Sequence, residues 1–114
     1  MPTTRAAGAA AEQHAADYLA AQGLVIVERN FGVRGGEIDL ICRDGQTIAF
    51  VEVRMRSRAD FGGAAASITP TKQARLVLAA RHWLARYGEQ PCRFDCVLLQ
   101  ENRIEWIRDA FRPA

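Results

Sequence analysis

"EIDLICRDGQTIAFVEVRMR", residues 37–56, is the stretch on which the fold turns. Two runs rich in branched and aromatic residues flank Asp44-Gly45, and an Asp-Gly dipeptide between such runs signals a β-hairpin. A two-residue turn at Asp44-Gly45 sets Arg43 opposite Gln46, Glu37 opposite Glu52 and Asp39 opposite Phe50. Asp39 and Glu52 are then diagonal neighbours on one face, and Ile38, Leu40, Val51 and Val53 share the other. A three-residue bulged turn would change the partners. Alternate residues of a strand face the same way. In "FVEVRMRSR", residues 50–58, one face therefore carries Glu52 and then Arg54, Arg56 and Arg58.

On the N-terminal side, alanine-rich residues 4 to 22 read as a helix stopped by Gly23, with Gly8, Ala15, Ala16 and Leu19 on one face. "LVIVERNF", 24–31, reads as a strand, and Gly35-Gly36 breaks the chain. On the C-terminal side, "ADFGGAAAS", 59–67, is a glycine-rich loop. Thr69 and Pro70 then supply the N-cap and first residue of a second helix, running to about Tyr87. Its apolar stripe is read as Val77, Ala80, Trp83, Leu84 and Tyr87. "CRFDCVLL" and "RIEWI" complete five strands. The expected architecture is α/β: a mixed sheet of about five strands flanked by helices, in the order α-β-β-β-α-β-β.

The chain has 114 residues, 49% of them hydrophobic, which points to one domain over 1–114 with a modest core. Its formal net charge of +2 is too weak to indicate nucleic acid, so any basic signal must come from placement. Three cysteines without framework spacing suit reduced thiols and a cytoplasmic setting. No run approaches the ~18 apolar residues of a membrane span, and no signal peptide is expected. His14 and His82 have no partners at metal-ligand spacing. Cys92 and Cys96, on one strand face, make a poor zinc pair and read as packing.

Three carboxylates, Glu37, Asp39 and Glu52, crowd one patch of the hairpin. Such a group raises its members' pKa values or requires a cation, and hard oxygen ligands suit Mg²⁺ or Mn²⁺. The competing reading is a solvated acidic face balanced by Arg34 and Arg54. Glu12 points toward the face its helix would bury, or reaches water over a shallow alanine face. Lys72, in the first turn of the second helix, sits against the helix dipole unless a phosphate is bound there. Gln73 should point toward the sheet, whereas Arg75 and Arg86 point outward and keep the helix soluble. Asp95 either forms a salt bridge or neighbours the site.

"GGEIDLI", "FVEVRMR", "TKQ" opening a helix, "RFD" and "DAF", in this order, closely resemble the bacterial YraN-like family. By motif that family falls in the PD-(D/E)xK superfamily of restriction-endonuclease-like nucleases, and the chain is similar to archaeal Holliday-junction resolvases. The resemblance runs from Gly8-x-x-x-Glu12 to Asp109-Ala110-Phe111. It implies a restriction-endonuclease-like sheet with Asp39 and Glu52 as metal-binding acids and the Val53 carbonyl as a further ligand. Glu12 becomes the helix-borne acid, with Lys72 and Gln73 the residues after the glycine-rich loop. Arg54 stands at the usual lysine position. Arginine cannot act as general base, but it can grip a phosphate bidentately.

These readings lead to a metal-dependent endonuclease acting on DNA, of branched or otherwise structured form. Asp39, Glu52, Arg54, Glu12 and Gln73 would be catalytic, Mg²⁺ or Mn²⁺ the cofactor, and Arg54, Arg56, Arg58 and Lys72 the nucleic-acid contacts. The alternatives are a non-catalytic nucleic-acid-binding module that keeps the fold, and an interaction protein whose acidic cluster is structural. By analogy with the resolvases, a homodimer is the assembly to test.

Overall fold

The computed structural model describes residues 4–55, 68–100 and 103–113, with side chains from residue 8 onward. Arg56, Arg58 and the glycine-rich stretch 59–67 lie outside the described residues. The element order is α1 (Thr4–Ala21), β1 (Val25–Val33), β2 (Gly36–Asp44), β3 (Thr47–Met55), α2 (Pro70–Tyr87), β4 (Cys92–Gln100) and β5 (Arg103–Phe111). The expected α-β-β-β-α-β-β order therefore holds. The strands form one five-stranded sheet in chain order, antiparallel except for the parallel pair β3–β4. A parallel pair needs a long crossover, and α2 is part of it.

Local chemistry ends and starts the helices. Gly23, at φ +99, donates to Ala20 O while Leu24 donates to Leu19 O. This double bond closes α1 as a Schellman motif, with Leu19 and Leu24 buried together across it. Thr69 accepts from Lys72 N at 3.2 Å and Pro70 follows it, so α2 starts at the expected cap.

The sheet lies between the two helices. Ile48 and Phe50 of β3 pack with Leu76, Ala79, Ala80, Trp83 and Leu84 of α2, whereas Ala49 and Val51 pack with Ala11, Ala15, Ala16 and Leu19 of α1. Strand β3 is thus buried on both faces, which is why residues 48–51 read as an unbroken apolar run. The buried side of α2 is rotated from the expected stripe. Leu76 and Ala79 join the core, Val77 is only partly buried, and Tyr87 is exposed. Leu78 and Tyr87 carry apolar signal without being core, so hydrophobicity alone misplaces the face. Among the described residues, no helix is long and apolar enough to cross a membrane.

The hairpin register differs from the expected one by two residues. Asp44 pairs with Thr47, Ile41 with Phe50 and Leu40 with Val51, so the turn residues are Gly45 and Gln46. Gly45, at φ +63, takes the first turn position, which needs a left-handed backbone in a type II′ hairpin. The two-residue shift preserves parity, so Asp39 and Glu52 keep a common side. The β2–β3 ladder ends at Leu40↔Val51, and β2 continues along β1 through Phe31↔Ile38. Alternation breaks there: Leu40 packs on the α1 side, but Ile38 joins the α2 side, contrary to its expected face.

Candidate functional site

Where β2 leaves β3, a side chain replaces the missing strand partner. Asp39 Oδ2 accepts the Val53 backbone N–H at 2.8 Å. This contact satisfies a donor that the ladder has abandoned and anchors the carboxylate beside Glu52. Glu52 is buried among the apolar residues of β3, with Lys72 Nζ of α2 at 3.4 Å from its Oε1. Behind the pair opens a cleft of about 340 Å³. Its floor is Asp39 and Glu52, one wall is the β1–β2 hairpin through Val33, Gly35, Gly36 and Glu37, and the other is Lys72 and Arg75.

Burial pushes the Glu52 carboxyl up to about 7, and its hydrogen bond to Asp39 and the charge of Asp39 push the same way; Lys72 opposes them. Two carboxylates in one desolvated corner cannot both ionise freely. Because the folded-state pKa is raised from 4.5, the folded protein holds the proton that the unfolded chain loses first. Stability is fully present below the unfolded pKa and falls as pH rises through about 7. In EDTA at about pH 8, Glu52→Gln should therefore be more stable than wild type by roughly 2–3 kcal/mol, and at about pH 4 the two should coincide. Urea unfolding at both pH values checks this. A difference independent of pH would show that Glu52 does not titrate between these two pH values.

Glu12 does not line the cleft. From α1, its carboxyl is pushed up by burial, then by the charges of Asp39 and Glu37, while a hydrogen bond with the Asn30 side chain and the charge of Arg29 oppose. Asn30 sits at φ +52, a left-handed conformation that asparagine tolerates better than most residues. Neither Asn30 nor Arg29 stood out in the sequence, because both are exposed polar residues on a strand that is otherwise ordinary. Gln73 Nε2 donates to Ile68 O at 3.0 Å, so its side chain braces the entry to α2 instead of reaching the acids. Arg54 is half-buried and continues the Glu52 side of β3, where its charge reaches Cys96. Val53 contributes its backbone at the same point.

One expectation is corrected at the cleft. Arg75 is exposed but lines the cleft, so it is not merely a solubilising residue. Its position three residues after Lys72 is the available signal, since i and i+3 share a helix surface. Of the two readings of Asp95 the salt bridge holds, with Arg93 Nε at 3.0 Å from its Oδ1, and the residue does not line the cleft. It is fully buried beside Val51 and receives hydrogen bonds from Arg93 Nε, Trp106 Nε1 and Asp109 N. The Phe94 and Phe111 rings stack next to it at 4.8 Å. "RFD" and "DAF" thus form a structural knot between β4 and β5.

Cys42 and Cys96 are buried, and burial pushes both thiols up to about 12, which makes them poor nucleophiles. Cys92 is exposed, not packed as expected. His14 and His82 are both exposed. Among the described residues, no three His, Cys, Asp or Glu side chains stand close enough to hold a metal ion. Of the three expected acids, Asp39 and Glu52 are in direct contact, while Glu37 lines the same cleft from its wall.

Against known proteins, residues 11–99 match the model of a family described as "Uncharacterised protein family UPF0102". A UPF0102 protein of Dechloromonas aromatica (strain RCB) is 60% identical over 109 residues, covering 96% of this chain and 91% of that one. One from Nitrosomonas eutropha is 57% identical over 113 residues, covering 97% of each chain. One from Cupriavidus taiwanensis is 57% identical over 113 residues, covering 96% of this chain and 86% of that one.

Proposed function

We propose, from the premise that this chain belongs to the uncharacterised protein family UPF0102, that it is a metal-dependent endonuclease of the PD-(D/E)xK type acting on DNA. The observation that carries this reading is the Asp39–Glu52 pair, set in a cleft whose facing wall presents Lys72 and Arg75. Acids at the floor and cations on the wall suit a ligand that brings both a divalent cation and an anionic phosphate. The donor chemistry fits Mg²⁺ or Mn²⁺, which typically take one or two carboxylates and keep several waters. Asp39 and Glu52 would hold the ion, with the Val53 carbonyl a further candidate, and binding would offset the burial and the Asp39 charge that raise the Glu52 pKa. When bound, such an ion polarises a phosphoryl oxygen and acidifies water.

The chain's own groups have separable tasks. Val53 N–H holds the Asp39 carboxylate in place. Lys72 neutralises Glu52 in the absence of ligand and can turn its charge to a phosphate. Arg54, two residues beyond Glu52, supplies charge and donors to the scissile phosphate but no general base. Glu12 acts at a distance on Asp39. Gln73 positions the start of α2. Arg56 and Arg58, outside the described residues, would add further phosphate contacts. Branched or structured DNA is the preferred substrate in this reading, and paired cuts would require two copies of the cleft.

The test is a Mn²⁺-dependent cleavage panel on duplex, single-stranded, flap and four-way-junction DNA. Wild type should cut at least one form, and Asp39→Asn, which keeps an acceptor for the Val53 N–H, should lose the activity by at least about 100-fold with its melting temperature retained. Arg54→Lys should keep or raise cleavage and Arg54→Ala abolish it. A second reading is favoured by arginine at the lysine position: a nucleic-acid-binding module without catalysis. Binding by every variant with cleavage by none, in Mg²⁺ or Mn²⁺, would select it.

A further inference from the structure

Helix α2, "PTKQARLVLAARHWLARY", carries Lys72, Arg75, Arg81 and Arg86 and no carboxylate. Cations early in a helix oppose its dipole, and no acidic residue in the first turn offsets them. An anion drawn to that end would. Lys72 already faces Glu52. Arg75, one turn along the same surface, lines the cleft above the β1–β2 hairpin. Its main chain is held there by close packing: a Cβ on Gly36 would come 2.6 Å from Arg75 O. The base of the side chain is therefore set by contact with the sheet.

We propose that Arg75 holds a second phosphate, adjacent to the one at Asp39 and Glu52, so that the cleft selects a phosphodiester chain over a lone phosphomonoester. This rests on the nucleic-acid reading of the cleft. Two cations at successive turns of one wall offer two seats. Lys72 is a compact charge at the acid pair, whereas the Arg75 guanidinium can grip a phosphate through two parallel N–H bonds. Glu37 on the opposite wall repels phosphate, which confines the second seat to the α2 side.

The experiment measures binding by the full chain in Mg²⁺, with two probes: a short single-stranded phosphorothioate oligonucleotide, which resists cleavage, and thymidine 5′-monophosphate. Arg75→Ala should weaken the oligonucleotide several-fold and make its log K against log salt slope shallower by about 0.7, one phosphate contact on a single strand. Its affinity for the monophosphate should be unchanged. Arg75→Lys should restore the slope but not the full affinity, and Lys72→Ala should weaken both probes. Melting curves of all variants establish that they fold. An unaltered slope in Arg75→Ala, or an equal loss on both probes, overturns the second seat while leaving the cleft reading intact. Failure of the wild type to bind either probe overturns the cleft reading and this proposal together.

Discussion

Asp95→Ala is expected to destabilise the protein by about 3–5 kcal/mol, the usual consequence of stripping one partner from a buried ion pair. The Asp95 carboxylate has no exposure and accepts from three donors, the single Arg93 Nε–H being shared between its two oxygens at 3.0 and 3.1 Å. Arg93 is itself mostly buried, and its remaining ion pair is with Asp44 at 2.9 Å. Removing Asp95 leaves a guanidinium half-compensated in a poorly hydrated site, and it orphans Trp106 Nε1 and Asp109 N. Asp109, at φ +53, lies in the irregular stretch of β5 opposite Asp95, so its N–H has no regular ladder partner to fall back on. Asp95→Asn keeps acceptor capacity but loses the charge, and should fall between wild type and alanine. Against a total stability of roughly 5–15 kcal/mol, the alanine variant should show a large drop in its urea midpoint. If Asp95 served the cleft instead, the variant would lose stabilisation by Mn²⁺ while its metal-free midpoint stayed put.

Gly36→Ala should destabilise by about 3 kcal/mol or more, at the upper end for overpacking. The added methyl would meet Arg75 O at 2.6 Å, Ala79 N at 3.1 Å and Ala79 Cβ at 3.3 Å. Two of these three atoms are helix backbone, which cannot turn aside as a flexible side chain would. Relief requires α2 to lift from the sheet, and that movement carries Lys72 and Arg75 away from Asp39 and Glu52. The variant should therefore lose both stability and oligonucleotide binding, although Gly36 bears no functional group. Gly8→Ala supplies the contrast. A Cβ there meets nothing within 4 Å, and in a helix interior alanine should add up to about 1 kcal/mol. Urea unfolding of the two variants should therefore move in opposite directions.

Much of the scaffold is written in local chemistry. Thr69-Pro70 starts α2 and Gly23 ends α1, because caps and left-handed glycines act within a few residues. That β3 is a strand is legible in its apolar run, but its burial between both helices is not, because Glu52 and Arg54 alternate as a polar face would. That Asp39 and Glu52 share a side was also legible, since strand parity has a period of two and survives a register shift of two. The shift itself was not: Asp44-Gly45 and Gly45-Gln46 are both chemically acceptable turns, and the choice belongs to the whole ladder from Asp44↔Thr47 to Leu40↔Val51. Three further features depend on contacts between elements far apart in sequence. Ile38 crosses to the α2 face because β2 leaves β3 and follows β1. Asp95 is a structural residue because β5 brings Trp106 and Asp109 to it. Arg75 faces the acids because the close approach at Gly36 sets where α2 docks. The sequence by itself therefore determined which residues alternate, cap and turn. Only the tertiary structure decided which charge meets which, because that depends on distances between elements and not on spacing within one.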